Sequence, residues 1–251
     1  DRVDVLITES TYGGRHHGPM SAAKEKLTRI VSETAHEGGL LIIPAFAVGR
    51  TQDVVYHLHE LMQANQIPSM PVYVDSPLAT NITEIFRAHP ECYDEETEQL
   101  LRQDWGKDPF GFNMLKYTHS TEESKRLNDL RRPAIIISAS GMCEGGRIKH
   151  HLKHNLWRPE CSVIFAGFQA EGTLGRRIVD GAKVVRLFGE DIAVKAKIYT
   201  LGGFSAHADR KELLEWLSAF RNRPVVFVVH GEEETSLEFS EAVKTQYGFT
   251  T

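Results

Sequence analysis

Short apolar runs, such as Leu40-Leu41-Ile42-Ile43 and Val225-Val226-Phe227-Val228-Val229, recur along this chain and alternate with stretches whose apolar residues fall at helical spacing. That alternation constrains the fold more than any other feature, because strands and amphipathic helices in turn are the pattern of a layered α/β architecture. Strands are expected at residues 5–8, 40–44, 72–75, 134–138, 163–166, 184–187, 197–200 and 225–230. The first helix is expected to be capped by Ser21, to bury Leu27, Ile30 and Val31 on one face, and to stop at Gly38-Gly39. Further helices are expected at 51–64, 78–88, 95–103, 122–129, 146–153, 174–179, 211–219 and 236–247, with a loop-rich excursion over 106–113.

A chain of 251 residues holds one large domain or two modest ones. With 41% hydrophobic and 25% charged residues it lies far from disordered or collagen-like extremes. Cys92, Cys143 and Cys161 are widely separated and form no C-x-x-C pair, so a zinc ribbon and a disulfide framework are both unsupported. A reducing, cytoplasmic setting follows as the expectation. No apolar run approaches the roughly twenty residues of a membrane helix, so a membrane is not an expected partner. The net charge of −5 and pI of about 6.2 exclude a globally basic nucleic-acid binder, which leaves any polyanion site to a local positive pocket. The chain opens Asp1-Arg2-Val3-Asp4, with neither an initiator Met nor a signal pattern, and reads as part of something longer.

Several expected strands end in a small, polar or glycine turn that leads into a helix: Pro44-Ala45-Phe46-Ala47-Val48-Gly49-Arg50, Val74-Asp75-Ser76-Pro77, Ser138-Ala139-Ser140-Gly141-Met142 and Gly167-Phe168-Gln169. In open parallel sheets ligands bind at the carboxyl ends of strands, where helix N-termini offer N–H groups to anions. The turns therefore suggest one polyanion cleft, although tight βα connections need small residues in any case.

Three further segments carry polar groups that a scaffold would not need. They are Thr8-Glu9-Ser10-Thr11-Tyr12-Gly13, Gly202-Gly203-Phe204-Ser205-Ala206-His207-Ala208-Asp209 and Val229-His230-Gly231-Glu232-Glu233. His230, at a strand end and followed by Gly, can project its imidazole from the sheet edge. His207 lies in a glycine-flanked turn before a helix, which fixes its backbone and leaves the ring accessible. Glu9 can accept a hydrogen bond from a His ring and hold its tautomer.

Together these segments resemble the metallo-β-lactamase-fold nucleases of the β-CASP group, with Glu9 similar to motif A, His207 to motif B and His230 to motif C. Pro-Ala-Phe-Ala-Val-Gly-Arg, Asp-Ser-Pro-Leu-Ala and Ser-Gly-Met-Cys-Glu-Gly-Gly-Arg are similar to signatures of the inserted β-CASP domain. The resemblance implies an α/β fold in which a parallel-sheet β-CASP domain, residues 14–195, is inserted in a partial metallo-β-lactamase αββα domain made of residues 1–13 and 196–251. It also implies a zinc-dependent ribonuclease. Two zinc ions in the full-length enzyme share a hydroxide that attacks the scissile phosphorus, His230 is a zinc ligand, His207 contacts the phosphate or protonates the leaving oxygen, and Glu9 orients His207. RNA would lie in the cleft between the two parts, with Arg50, Arg147, Ser140 and the amides following Gly141 as phosphate contacts. RNA is favoured over DNA because RNA-acting members resemble this chain in having His at motif C.

The family's His-x-His-x-Asp-His motif, a further His and a bridging Asp precede motif A, and none is present here. The chain thus supplies about one metal ligand, and by itself is expected to bind zinc poorly and to cleave nothing. Expected partners are RNA and the missing N-terminal metallo-β-lactamase half, with a homodimer left open. The rival readings are a catalytically silent RNA-binding or scaffold subunit and, less favoured, a small-molecule hydrolase. His57-Leu58-His59-Glu60 has the first motif's spacing but falls in an amphipathic helix, so surface histidines are expected there. His150 and His154 stand at i,i+4 without a third ligand nearby, His16-His17 are expected in an exposed or RNA-facing loop, and Cys143 reads as a packing residue.

Overall fold

A computed structural model describes residues 2–103 and 108–251. In chain order the elements are β1 (Val5–Glu9), α1 (Met20–His36), β2 (Leu40–Pro44), α2 (Arg50–Gln63), β3 (Val72–Val74), α3 (Pro77–Ala88), α4 (Glu95–Gln103), β4 (Leu115–Tyr117), α5 (Thr121–Leu127), β5 (Ala134–Ser138), α6 (Ile148–Asn155), β6 (Ser162–Phe165), α7 (Leu174–Val179), β7 (Val184–Leu187), β8 (Glu190–Ala193), β9 (Lys197–Thr200), α8 (Arg210–Ser218), β10 (Val225–Val229) and α9 (Glu233–Tyr247). No described helix is long and apolar enough to cross a membrane.

The chain divides into two compact units, one of residues 20–204 and one of residues 1–19 with 205–251. The larger holds a six-stranded parallel sheet in the order β4-β3-β5-β2-β6-β9. Because side chains alternate across a strand, consecutive residues of β2 enter opposite cores. Leu41 and Ile43 join Leu27 and Ile30 of α1 and Val54 and Leu58 of α2. Leu40 and Ile42 join Ile148 and Leu152 of α6 and Ile178 of α7. Both faces of the sheet are therefore dry, as parallel sheets require. The Gly38-Gly39 stop has two causes: Gly38 takes a φ of +74°, and a Cβ on Gly39 would fall 1.7 Å from the Glu160 carbonyl oxygen.

The smaller unit pairs β1 with β10 in parallel, Glu9 opposite Val229. Helices α8 and α9 cover one face of this pair through Leu213, Leu217, Val226, Phe239 and Val243. The other face presents Val5, Ile7, Val225 and Phe227 to solvent.

Several expectations change. Helix α1 begins at Met20, so Ser21 lies inside its first turn and does not cap it. The larger compact unit runs on to residue 204, because β9 hydrogen-bonds to β6 and completes the large sheet. Strands β4 and β8 were not anticipated. The first has only three residues, and the second is the polar arm of a hairpin whose turn residues Phe188 and Gly189 take φ of 51° and 83°. The expected excursion over 106–113 lies partly outside the described residues. From Asp108 onward it is tied down, with the Asp108 carboxylate accepting from the Phe110 N–H at 2.9 Å and from Arg87 Nε at 2.9 Å.

Candidate active site

Parallel pairing places the carboxyl ends of β1 and β10 side by side, which brings Glu9 and the residues after it next to His230. Ser10 locks the two ends: its hydroxyl donates to the Val229 carbonyl at 3.0 Å and lies 2.9 Å from the Ser236 hydroxyl. A Cβ at position 231 would meet those same hydroxyl oxygens at 2.3 and 2.7 Å, so Gly231 is required by close approach. His230 itself has a φ of 53°, a backbone conformation side chains seldom adopt outside sites where the chain is held in place.

The loop bearing His207 is held from two directions. Asp209 caps α8 in a reciprocal box with Glu212 and also accepts the His17 N–H at 2.8 Å. Burial alone would raise the Asp209 carboxyl, yet the backbone N–H groups of Glu212, His17 and Lys211 bring it below its ordinary value. The His17 ring donates through Nε2 to the His207 carbonyl at 3.0 Å and packs edge-on against the buried Tyr12 at 4.5 Å. His17, expected in an exposed or RNA-facing loop, is instead a clamp on the His207 loop, because Tyr12 and Asp209 form a bridge beside it.

At the centre, ligand atoms of Glu9, His207 and His230 all lie within 4.8 Å of one another. The two rings stack with centroids 5.2 Å apart and an interplanar angle of 29°. Their proton positions follow from hydrogen-bond bookkeeping. The Thr11 hydroxyl has one proton, which it donates to the His230 carbonyl at 2.9 Å, so it accepts from His230 Nδ1 at 3.0 Å. His230 therefore carries its proton on Nδ1 and leaves the Nε2 lone pair open. The Glu9 carboxylate can only accept, so His207 Nδ1–H donates to it at 2.7 Å. Neither Nε2 has a partner among the described residues. Strand alternation sets Glu9 in series with Val5 and Ile7, on the face of the small sheet that α8 and α9 leave open.

With this geometry in place, residues 51–178 match the family described as Beta-Casp domain. The chain belongs to the β-CASP family. Residues 191–251, which include His207 and His230, match the family described as Zn-dependent metallo-hydrolase RNA specificity domain. The chain is 39% identical over 234 residues to Ribonuclease TTHA0252 of Thermus thermophilus, covering 93% of this chain and 53% of that protein. It is 35% identical over 259 residues to transcription termination factor FttA of Thermococcus kodakarensis and 36% identical over 251 residues to that of Methanocaldococcus jannaschii. These alignments cover 100% and 97% of this chain but 39% of each relative, so the chain spans between 39% and 53% of the length of the relatives it matches. The matches give the chain a β-CASP metallo-β-lactamase-type α/β fold.

The phosphate contacts expected in the β-CASP segment are dispersed in their roles. The Arg50 side chain is 10% exposed and faces Asp53 at 3.3 Å. The Ser140 hydroxyl donates to the Gly145 carbonyl and accepts the Gly145 N–H, both at 3.2 Å, closing the loop that follows β5. Gly141 is closely packed, and a Cβ there would lie 3.0 Å from the Phe46 ring. Arg147 Nη1 donates to the buried Asp75 carboxylate at 2.8 Å. Other expectations are corrected. His59 is buried rather than on the surface, its ring stacked on Phe112 and its Nδ1 3.2 Å from the Pro109 carbonyl oxygen. His57 is also mostly enclosed, facing Glu60 at 3.1 Å. Both sit in α2 close to its core-facing residues Val54, Leu58 and Leu61. Cys143 packs as expected, and burial pushes its thiol up to about 12. Sequence reasoning missed Thr11, Asp75 as a charge centre, and His151. The signal for His151 was its helical register with Ile148, Leu152 and Asn155, all buried, which the neighbouring exposed histidines obscured.

Proposed function

We propose that this chain supplies motifs A, B and C to a zinc-dependent ribonuclease that hydrolyses phosphodiester bonds in RNA, with two zinc ions in the full-length protein. The observation that carries the reading is the Glu9–His207–His230 group, in which the His230 Nε2 lone pair, on a nitrogen of the kind zinc takes, is directed away from its Nδ1 anchor beside the Glu9-held His207. His230 would hold metal. When bound, zinc lowers the pKa of water and offsets charge on phosphoryl oxygens. His207, held through Nδ1 by Glu9, is left with Nε2 to meet the phosphate or to give a proton to the leaving oxygen. Thr11 fixes the His230 tautomer and so sustains metal affinity.

The rest of the site would come from a preceding metallo-β-lactamase half. Support comes from the greater length of the relatives and from the face on which Glu9 stands, where Ile7 and Phe227 are 66% and 55% exposed. An apolar face of a parallel sheet ordinarily has a second layer. On this reading the chain alone holds no stoichiometric zinc and cleaves no RNA.

Single-turnover cleavage of single-stranded RNA by the full-length protein, combined with zinc analysis, tests the proposal. His207→Ala is expected to keep its zinc and to cleave about 10² to 10⁴ times more slowly, the range for a positioned general acid. His230→Ala is expected to lose zinc. Wild-type cleavage by His207→Ala at full metal occupancy would overturn the assignment, and a wild-type protein that binds RNA without cleaving it would establish the scaffold reading instead.

A further inference from the structure

The large sheet has its own charged centre at the carboxyl end of β3. Asp75 is completely buried, and its carboxylate accepts from Thr118 Oγ1, from Ser124 Oγ at 2.7 Å, from His151 Nε2 at 2.6 Å and from Arg147 Nη1 at 2.8 Å. Its own carbonyl accepts from Ser138 Oγ at 2.8 Å. Burial would raise this carboxyl, but the hydrogen bonds from His151, Thr118 and Ser124 hold it well below the usual carboxylate range. His151 donates through Nε2, while its Nδ1 is buried and has no partner among the described residues. Arg147 is the permanent cation of the cluster.

Arg147 differs from the other donors in being open to solvent: its side chain is 20% exposed while Asp75 is fully enclosed. Its Nη1 is committed to Asp75 and, at 3.3 Å, to Thr118. Its Nε and Nη2 have no partner among the described residues. Those two nitrogens lie on one edge of the planar guanidinium, the fork that meets two oxygens of a phosphate. The preceding turn is built to deliver it, since Gly146 has a φ of +78° and a Cβ there would lie 2.2 Å from the Ala139 carbonyl oxygen. The cluster stands where parallel sheets bind ligands, at the carboxyl ends of the strands.

We infer that Asp75 is a positioning residue, which with Thr118 holds Arg147 at one nitrogen so that the opposite edge of the guanidinium binds a backbone phosphate of single-stranded RNA. The inference rests on the ribonuclease reading above and adds a second, metal-independent contact to it. Anchoring removes the rotamer freedom that an exposed arginine would lose on binding.

The test is equilibrium binding of a short oligouridylate to the metal-free full-length protein at a series of salt concentrations. Arg147→Ala is expected to weaken binding about tenfold and to lower the slope of log affinity against log salt by about one. Asp75→Asn gives the decisive sign. Were Asp75 only a neutralising partner, its removal would leave Arg147 with uncompensated charge and tighten binding to RNA; as a positioning residue, its removal weakens binding, and has no further effect once Arg147 is alanine. Thr118→Val, which leaves the ion pair in place, guards against loss of folding in Asp75→Asn and should weaken binding a few-fold, again only with Arg147 present. Binding unchanged in Arg147→Ala, or unchanged or tighter in both Asp75→Asn and Thr118→Val, overturns the inference and leaves the Glu9–His207–His230 assignment standing. A wild-type protein without salt-dependent binding overturns both.

Discussion

In the large sheet, β2 and β5 bury every residue from Leu40 to Pro44 and from Ala134 to Ser138, whereas in the small sheet β1 and β10 bury alternate positions and leave Val5, Ile7, Val225 and Phe227 exposed. The strands are similar in sequence, all rich in Val, Ile, Leu or Phe. What differs is the cover: helices lie on both faces of the large sheet and on one face of the small one. The polar chemistry follows the cover. Beneath two helical layers, Asp75 has every lone pair answered and one cation attached. At the carboxyl ends of the small sheet's strands, beside Glu9, the Nε2 atoms of His207 and His230 have no partner among the described residues.

The largest expected effect would break that contrast. In the full-length protein a second layer over the β1–β10 face would make Phe227 a core residue, so Phe227→Ala is expected to cost about 3–5 kcal/mol, measured by urea unfolding. A cost within about 0.5 kcal/mol would show that the face stays exposed and that no layer covers it.

Next in size is Ser124→Ala, which probes the closed centre. Removing one donor to the Asp75 carboxylate is expected to cost about 1.5–3 kcal/mol at neutral pH. The sign with pH follows from linkage. A carboxyl lowered in the folded state contributes stability above its unfolded value and loses it as pH falls toward the lowered folded value. Losing a donor brings the folded value back up, so the variant and the wild type should differ most at neutral pH and converge in acid. A difference that is constant with pH would show that Ser124 does not act through Asp75.

The smallest effect sharpens the open centre. Glu9→Gln keeps the shape but replaces an acceptor-only carboxylate with an uncharged amide that can also donate, so it no longer dictates the His207 tautomer, and cleavage by the full-length protein is expected to fall about 10- to 100-fold while zinc content holds. An unchanged rate would mean that His207 needs no orientation from Glu9.

Much of this was legible in the residues. The apolar runs located all but the shortest and most polar strands, since a strand buried on both faces leaves a run in the sequence that a short edge strand such as Leu115–Tyr117 or a polar one such as Glu190–Ala193 does not. Glu9, His207 and His230 stood out because each follows an apolar or glycine-rich segment within a few residues, a local signal. Helix starts were less legible: Ser21 is a good cap by type, but the helix begins one residue earlier.

The sequence by itself therefore determined the α/β layering, the singling out of Glu9, His207 and His230, and the glycines that turns and close approaches demand, because these depend on neighbours within a turn or a strand. Only the tertiary structure decided which partner each polar group takes. Thr11 sets the His230 tautomer from 219 positions away, and Arg147 and His151 reach Asp75 across 72 and 76 positions. The same structure buried His59, which reads as a surface residue, and turned His17 from a loop residue into a clamp. A hydrogen bond is specified by two atoms meeting at about 3 Å, and for residues so far apart that meeting is fixed by strand order and register, which no local pattern encodes.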